Sequence, residues 1–394
     1  MTSDLISREQ SVLFQTYKRL PLQIERAEGC RVYTTNGDVY LDFLGGIAVN
    51  ALGHSHPRLV AAIIDQAKRY THVSNFFYQE PQIRLAEQLR SITGYPRVFF
   101  SNSGAESMDG ALKLARRHGS RTGRYDLIGF SGGFHGRTYG ALSIMDKPLH
   151  KDGMGPFLPH TLVLPFNDVD ALRARIDAST CAVVLEFLQG EGGIAAASDE
   201  FVAELASLKE QYGFLIIADE VQTGVGRTGS FFAFDRYGIR PDIVTLAKAL
   251  GGGLPLGAIL ATEEAAALFE KGMHGTTYGG NALACAAGSV VLDELQNSLQ
   301  SHVQEIGAYL TTQLNGLKQR MPEAIRELRG RGCMQGVVLT SDAAPVVERL
   351  LQKKVIANAT SGNVVRVLPP YVITRNDVDE FVDALDASLA MVSA

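Results

Sequence analysis

Short apolar runs alternating with helix-length amphipathic stretches predict an α/β fold: a large domain on a mostly parallel sheet, joined to a smaller α+β domain. Three observations carry this expectation. Strand-like and helix-like segments alternate between residues 97 and 261, the 394-residue length exceeds what one typical core accommodates, and a separate α+β pattern follows residue 297. The 40 glycines add the tight turns that such alternation needs.

The elements follow in order. After a polar start, Val32-Tyr33-Thr34 and Val39-Tyr40-Leu41 flank Asn36-Gly37, the signature of a tight hairpin. Leu59, Val60, Ile63, Ile64 and Ala67 recur at helical spacing, and Ile83, Leu85, Ala86 and Leu89 repeat it. Apolar strands are then expected at 97–100, 125–130, 182–185, 214–218, 243–246 and 257–261, separated by helix-like stretches such as 105–118 and 200–212. Such βαβ units build a parallel sheet. Beyond residue 297 come a helix-like segment to residue 320, strands at 336–339 and 364–367, and a last helix opened by a Thr374-x-x-Asp377 capping box. We therefore expect residues 1–55 and 297–394 to form the small domain around a large domain at 56–296.

Composition narrows the function. The chain is 46% hydrophobic and 20% charged, with net charge −5 and no basic cluster, so nucleic-acid binding is not expected. No apolar stretch approaches the ~20 residues that span a bilayer, so no membrane role is expected. Residues 1–10 carry Asp4, Arg8 and Glu9 and lack the apolar core of a secretory leader. Cys30, Cys181, Cys285 and Cys333 lie far apart without paired spacing, which suits reduced thiols of a cytoplasmic protein and suggests no metal site. His54 and His56 read as structural.

Two motifs point away from their usual chemistry. Gly224-Val225-Gly226-Arg227-Thr228-Gly229 satisfies G-x-G-x-x-G, but five residues separate it from the preceding strand and an aromatic run follows it. Gly129-Phe130-Ser131-Gly132-Gly133 matches G-x-S-x-G, yet the glycines beyond it oppose the helix a nucleophile elbow requires.

A third constellation is coherent. The apolar run at 214–218 ends in Asp219, and the one at 243–246 leads through Ala247 into Lys248. Ligands of open α/β sheets bind at the carboxyl ends of strands. An acid and an amine set together there suit pyridoxal 5'-phosphate, which needs a lysine to anchor its aldehyde and an acid to keep its pyridine nitrogen protonated. Ser101-Asn102-Ser103-Gly104-Ala105-Glu106 links a strand to a helix whose free N–H groups can seat a phosphate. Within Gly275-Thr276-Thr277-Tyr278-Gly279, the two threonines offer two more hydroxyls.

With these residues the chain resembles the class III, fold-type I pyridoxal phosphate aminotransferases, and among them the acetylornithine aminotransferase group. The resemblance rests on residues 40–49, 99–106, 134–138, 189–193, 219–229, 247–248 and 275–281. It implies a seven-stranded sheet in the large domain and a small domain made from both chain ends. It assigns Lys248 and Asp219 as catalytic, and Gly104, Ala105, Phe134, Val221, Gln222 and Thr277 as further cofactor contacts. Thr277 would serve the neighbouring subunit, which implies a homodimer with shared active sites. Tyr17, Arg137, Glu191, Arg366 and Thr276 would bind substrate, with Glu191 masking Arg366 until glutamate enters. The implied substrates are an N-acylornithine and 2-oxoglutarate, in arginine biosynthesis. Met108 stands where the family commonly has asparagine, which leaves the acyl group open between N-acetyl and N-succinyl. Ile47 replaces the tyrosine of ornithine aminotransferases and favours an acylated donor.

Overall fold

A computed structural model describes residues 2–390. Its large sheet has seven strands in the order Arg97–Ser101, Gly257–Ala261, Ile243–Leu246, Leu215–Asp219, Thr180–Leu185, Asp126–Phe130 and Thr161–Leu164. Gly257–Ala261 runs antiparallel to both neighbours, and the other pairings are parallel. The central strands Leu215–Asp219 and Thr180–Leu185 are buried at every position, as continuous apolar runs covered on both faces should be. Alternation divides them between two cores: Ile216 and Ala218 face one, Leu215 and Ile217 the other.

Six of these strands match the sequence expectation, and Thr161–Leu164 is the one it lacked. This strand sits at the sheet edge, has four residues and is mostly half-buried, so neither its length nor its apolarity separates it from loop. Ile24–Glu28 escaped for a similar reason, being polar and largely exposed.

The small domain draws on both chain ends. Val355–Ile356 pairs in parallel with Val39–Asp42 and extends the sheet begun by Ile24–Glu28 and Arg31–Thr34. A second, antiparallel sheet orders Ile325–Arg331, Met334–Leu339, Val364–Val367 and Asn358–Thr360. Helices Gln300–Arg320 and Arg375–Ala390 pack against each other beside it. The capping box is present: Thr374 N–H donates to Asp377 at 2.8 Å, and Asp377 N–H returns a bond to Thr374 Oγ1 at 3.3 Å. Asp377 also pairs with Arg31 at 2.6 Å, tying the last helix to the first hairpin. Among the described residues no helix is long and apolar enough to cross a membrane.

Candidate active site

Asp219 closes its strand directly beside Thr245 of the neighbouring strand, and Lys248 follows three residues later. Parallel register therefore brings the acid and the amine to one edge. Both line an inner cavity of ≈ 490 Å³, together with Phe134, Val221, Gln222 and the start of helix Gly104–Ser120.

Asp219 is 3% exposed and has its carboxylate fixed by three donors. Val221 N–H and the Thr245 hydroxyl reach Oδ1 at 3.0 and 3.3 Å, and His135 Nδ1 reaches Oδ2 at 2.7 Å. Burial opposes charge on His135, but the bond to Asp219 together with the charges of Asp219 and Glu186 outweighs it and leaves the imidazole above its ordinary pKa. The result is a buried anion clamped by a cation-prone ring. Burial opposes charge on Lys248 too, and here it prevails, holding the ammonium below the usual lysine range against the pull of Asp219 and Glu186. An amine biased toward neutrality is a better nucleophile and base.

The phosphate seat has the expected form. Ser103 caps the helix by accepting from Glu106 N–H at 3.2 Å, while the N–H groups of Gly104 and Ala105, the first helical residues, have no acceptor among the described residues. Gly104 also allows a close approach, because a Cβ there would lie 2.7 Å from Val221 Cγ1. A deep acid, a half-buried lysine and two free N–H groups at a helix start in one cavity fit pyridoxal phosphate.

An outer cavity of ≈ 960 Å³ shares Phe134, Arg137 and Lys248 with the inner one and adds Ile47, Glu191 and Arg366. Arg366 Nη1 makes a short ion pair with Glu191, and its Nε donates to Asn358 at 3.1 Å. Burial alone would raise the Glu191 carboxyl; Arg366 outweighs it and holds the group below the usual carboxylate range. The Arg366 side chain is 2% exposed and that of Glu191 28%. The arginine is thus the buried partner and the acid the more exposed one. Ile47 lies at this rim with φ 65°, a left-handed conformation costly for a β-branched side chain.

Comparison with known proteins decides the family. The profile of the class-III aminotransferases matches residues 13–389. The chain belongs to that family. It is 43% identical over 393 residues to the acetylornithine aminotransferase of Caldanaerobacter subterraneus subsp. tengcongensis, covering 98% of this chain and 100% of that protein. The acetylornithine aminotransferase of Agrobacterium fabrum is likewise 43% identical, over 97% of both chains. Among solved structures, the ornithine aminotransferase of Toxoplasma gondii superimposes with a TM-score of 0.94 at 30% identity, covering 100% of this chain and 96% of the other. The acetylornithine aminotransferase of Elizabethkingia anophelis gives 0.88 at 31% identity, covering 99% of each. This aminotransferase is accordingly a pyridoxal phosphate-dependent enzyme of the acetylornithine aminotransferase group, acting on an ω-amino acid.

Within the aminotransferase, the expected residues divide. Lys248, Asp219, Gly104, Ala105, Phe134, Val221, Gln222 and Arg137 line the inner cavity, and Glu191 and Arg366 the outer one. Thr276 lies beside the phosphate seat, accepting from Asn102 Nδ2 at 3.1 Å. Thr277 is exposed and lines neither cavity. Tyr17 is 74% exposed on the N-terminal segment, where Arg19 rather than Arg137 stacks on its ring. Met108 is fully buried in the second core, so it has no part in either cavity. Two residues the sequence reading missed are His135 and Glu186. Glu186 accepts from Phe134 N–H at 2.9 Å and Gly190 N–H at 3.0 Å, and burial, reinforced by Asp219, pushes its carboxyl up to about 7. The available signal was its place just after Thr180–Leu185, the same strand-end position that marked Asp219.

Proposed function

We propose that this aminotransferase moves the terminal amino group of N-acetylornithine to 2-oxoglutarate, giving N-acetylglutamate 5-semialdehyde and glutamate, in arginine biosynthesis. The observation that carries the reading is the Arg366–Glu191 pair in a cavity continuous with Lys248. The donor reacts at its terminal carbon, where it has no carboxylate, so Arg366 needs the internal partner that Glu191 provides. When glutamate or 2-oxoglutarate enters, its α-carboxylate replaces Glu191 on Arg366. One site then serves two unlike substrates.

Pyridoxal phosphate, when bound, supplies the carbonyl that captures the amine and the electron sink that acidifies the amine-bearing carbon. Lys248 would anchor it, Asp219 would hold its pyridine nitrogen, Gln222 its ring hydroxyl, and Gly104 and Ala105 its phosphate, with Phe134 and Val221 along the ring. Once released, Lys248 takes the proton from the terminal carbon of the donor and later returns one to the acceptor carbon. Arg137, which has no carboxylate partner among the described residues, holds the distal carboxylate of the substrate. Tyr17 would join it and Thr277 would reach the phosphate in a neighbouring copy, so we propose a homodimer with shared sites. Four buried, unpaired cysteines suit a cytoplasmic location.

A second reading takes N-succinylornithine, N-succinyl-diaminopimelate or another ω-amine as donor. It is favoured by Lys147, an additional cation in the outer cavity whose ammonium, among the described residues, meets only the Glu191 carbonyl as a hydrogen-bond acceptor, at 3.4 Å. A panel of these amines with 2-oxoglutarate separates the readings by kcat/KM. N-acetylornithine should lead the panel, and a tenfold or greater preference for a succinylated amine, about 1.4 kcal/mol, would transfer the assignment.

A further inference from the structure

Arg227 is fully buried, yet its guanidinium faces main-chain carbonyls and an aromatic ring. Nη1 donates to Cys333 O at 3.2 Å and to Pro369 O, and the guanidinium carbon lies 4.4 Å from the centroid of the Tyr371 ring. Nε and Nη2 have no hydrogen-bond partner among the described residues. Burying a charge on such terms is costly, and a well-packed apolar side chain would serve stability as well or better. What an apolar side chain would lack is a directed link between two carbonyls on different segments.

Those carbonyls lie together at one end of the strand pair that carries Arg366. Cys333 precedes strand Met334–Leu339, in which Gly336 is the register partner of Arg366, and Pro369 lies three residues beyond Arg366. At its other end the link joins the segment that starts with Asp219 and includes Gln222, whose Oε1 is 3.5 Å from Arg366 Nη1. The join is close: Cys333 N–H donates to Arg227 O at 2.9 Å, Tyr371 Oη donates to Val225 O at 3.0 Å, and a Cβ on Gly332 would lie 2.7 Å from Arg227 O. One stretch, residues 219–227, therefore carries Asp219 into the inner cavity and ends in a side chain that ties together, at one end, the two strands on which Arg366 and its register partner Gly336 lie.

We propose that Arg227 is a positioning residue that sets the distance between Arg366 and the Lys248–Asp219 floor. It acts selectively on the substrate whose α-carboxylate Arg366 receives. The inference rests on the reading of Arg366 given above.

The test measures the two half-reactions of the holoenzyme separately by cofactor absorbance, with N-acetylornithine and with glutamate. Arg227→Met, close in length and apolar, should raise the half-saturating concentration of glutamate roughly tenfold, because small displacements of a positioning group carry large penalties. That of N-acetylornithine should stay within about twofold. Arg227→Lys retains a buried cation on a shorter side chain without the planar guanidinium over Tyr371, and should show the same selectivity at smaller amplitude even where Arg227→Met does not fold. Equal changes in both half-reactions, or none in either, would overturn the proposal. Arg366→Lys is measured in parallel. If it is selective for glutamate while the Arg227 variants are not, the positioning role fails alone; if it is unselective, the reading of Arg366 fails and takes this inference with it.

Discussion

The inner cavity and the outer rim of this site are built on different principles. In the inner cavity both carboxylates are held by intrachain partners: Asp219 by His135, Val221 and Thr245, and Glu186 by Phe134 and Gly190. In the outer cavity, Arg137 and Lys147 lack carboxylate partners among the described residues, and Tyr17 and Thr277 are exposed outside both cavities. A pre-ordered floor suits chemistry common to every substrate, because fixed dipoles need no reorganisation during reaction. The unpaired cations Arg137 and Lys147 suit selection, since they are open to carboxylates that substrates bring.

Substitutions can break that contrast, beginning where the effect is greatest. Lys248→Ala should lower turnover by roughly 10⁴-fold, the upper range for a positioned base. Activity within tenfold of the parent in steady-state assays would remove the floor from the chemistry. Asp219→Asn should cost about 10²- to 10³-fold in kcat with a small change in KM. His135→Phe should follow at roughly tenfold or more, because a hydrogen bond to a charged group contributes ~1.5–3 kcal/mol. If His135→Phe equalled the parent, Asp219 would be held well enough by Val221 and Thr245.

The rim predicts a gentler response. Thr277→Val should weaken cofactor retention by about tenfold when the apoenzyme is titrated with pyridoxal phosphate, the loss of one charge-assisted bond. An unchanged titration would confine the cofactor site to a single chain.

The smallest expected effect is on stability. Glu220, adjacent to Asp219 but turned away from the cavity, accepts from Ala233 and Phe234 N–H, at 3.0 and 3.2 Å. Burial pushes its carboxyl from 4.5 up to about 8. The folded form then holds a proton that the unfolded chain has released. Its contribution to stability is therefore complete below pH 4.5 and is lost as pH rises through about 8. Glu220→Gln should flatten the decline of Tm across that window, and an unaltered slope would place the titration elsewhere.

Legibility in the sequence followed the same division. Lys248 and Asp219 stood out because each ends an apolar strand in a charge, and the phosphate seat because a capped helix follows a strand. His135 lies in the glycine-rich stretch 131–140, where no periodicity marks which side chain turns inward. Its partnership with Asp219 spans 84 residues and exists only once the sheet is formed. Met108 shows the converse. Local alignment placed it beside the phosphate turn, but helical geometry rotates it into the second core. Thr161–Leu164 and Ile24–Glu28 were missed because edge strands need little apolarity to pair.

Ile47 remains in its left-handed conformation at the mouth of the outer cavity. A glycine or asparagine would relax that turn, and the same exchange would enlarge the opening through which donors pass. Variants chosen from a randomised library for heat resistance should drift toward the smaller or more permissive residues at this position. Those chosen for discrimination among donors should keep a branched one. Adaptation at this locus is therefore a compromise between endurance and selectivity.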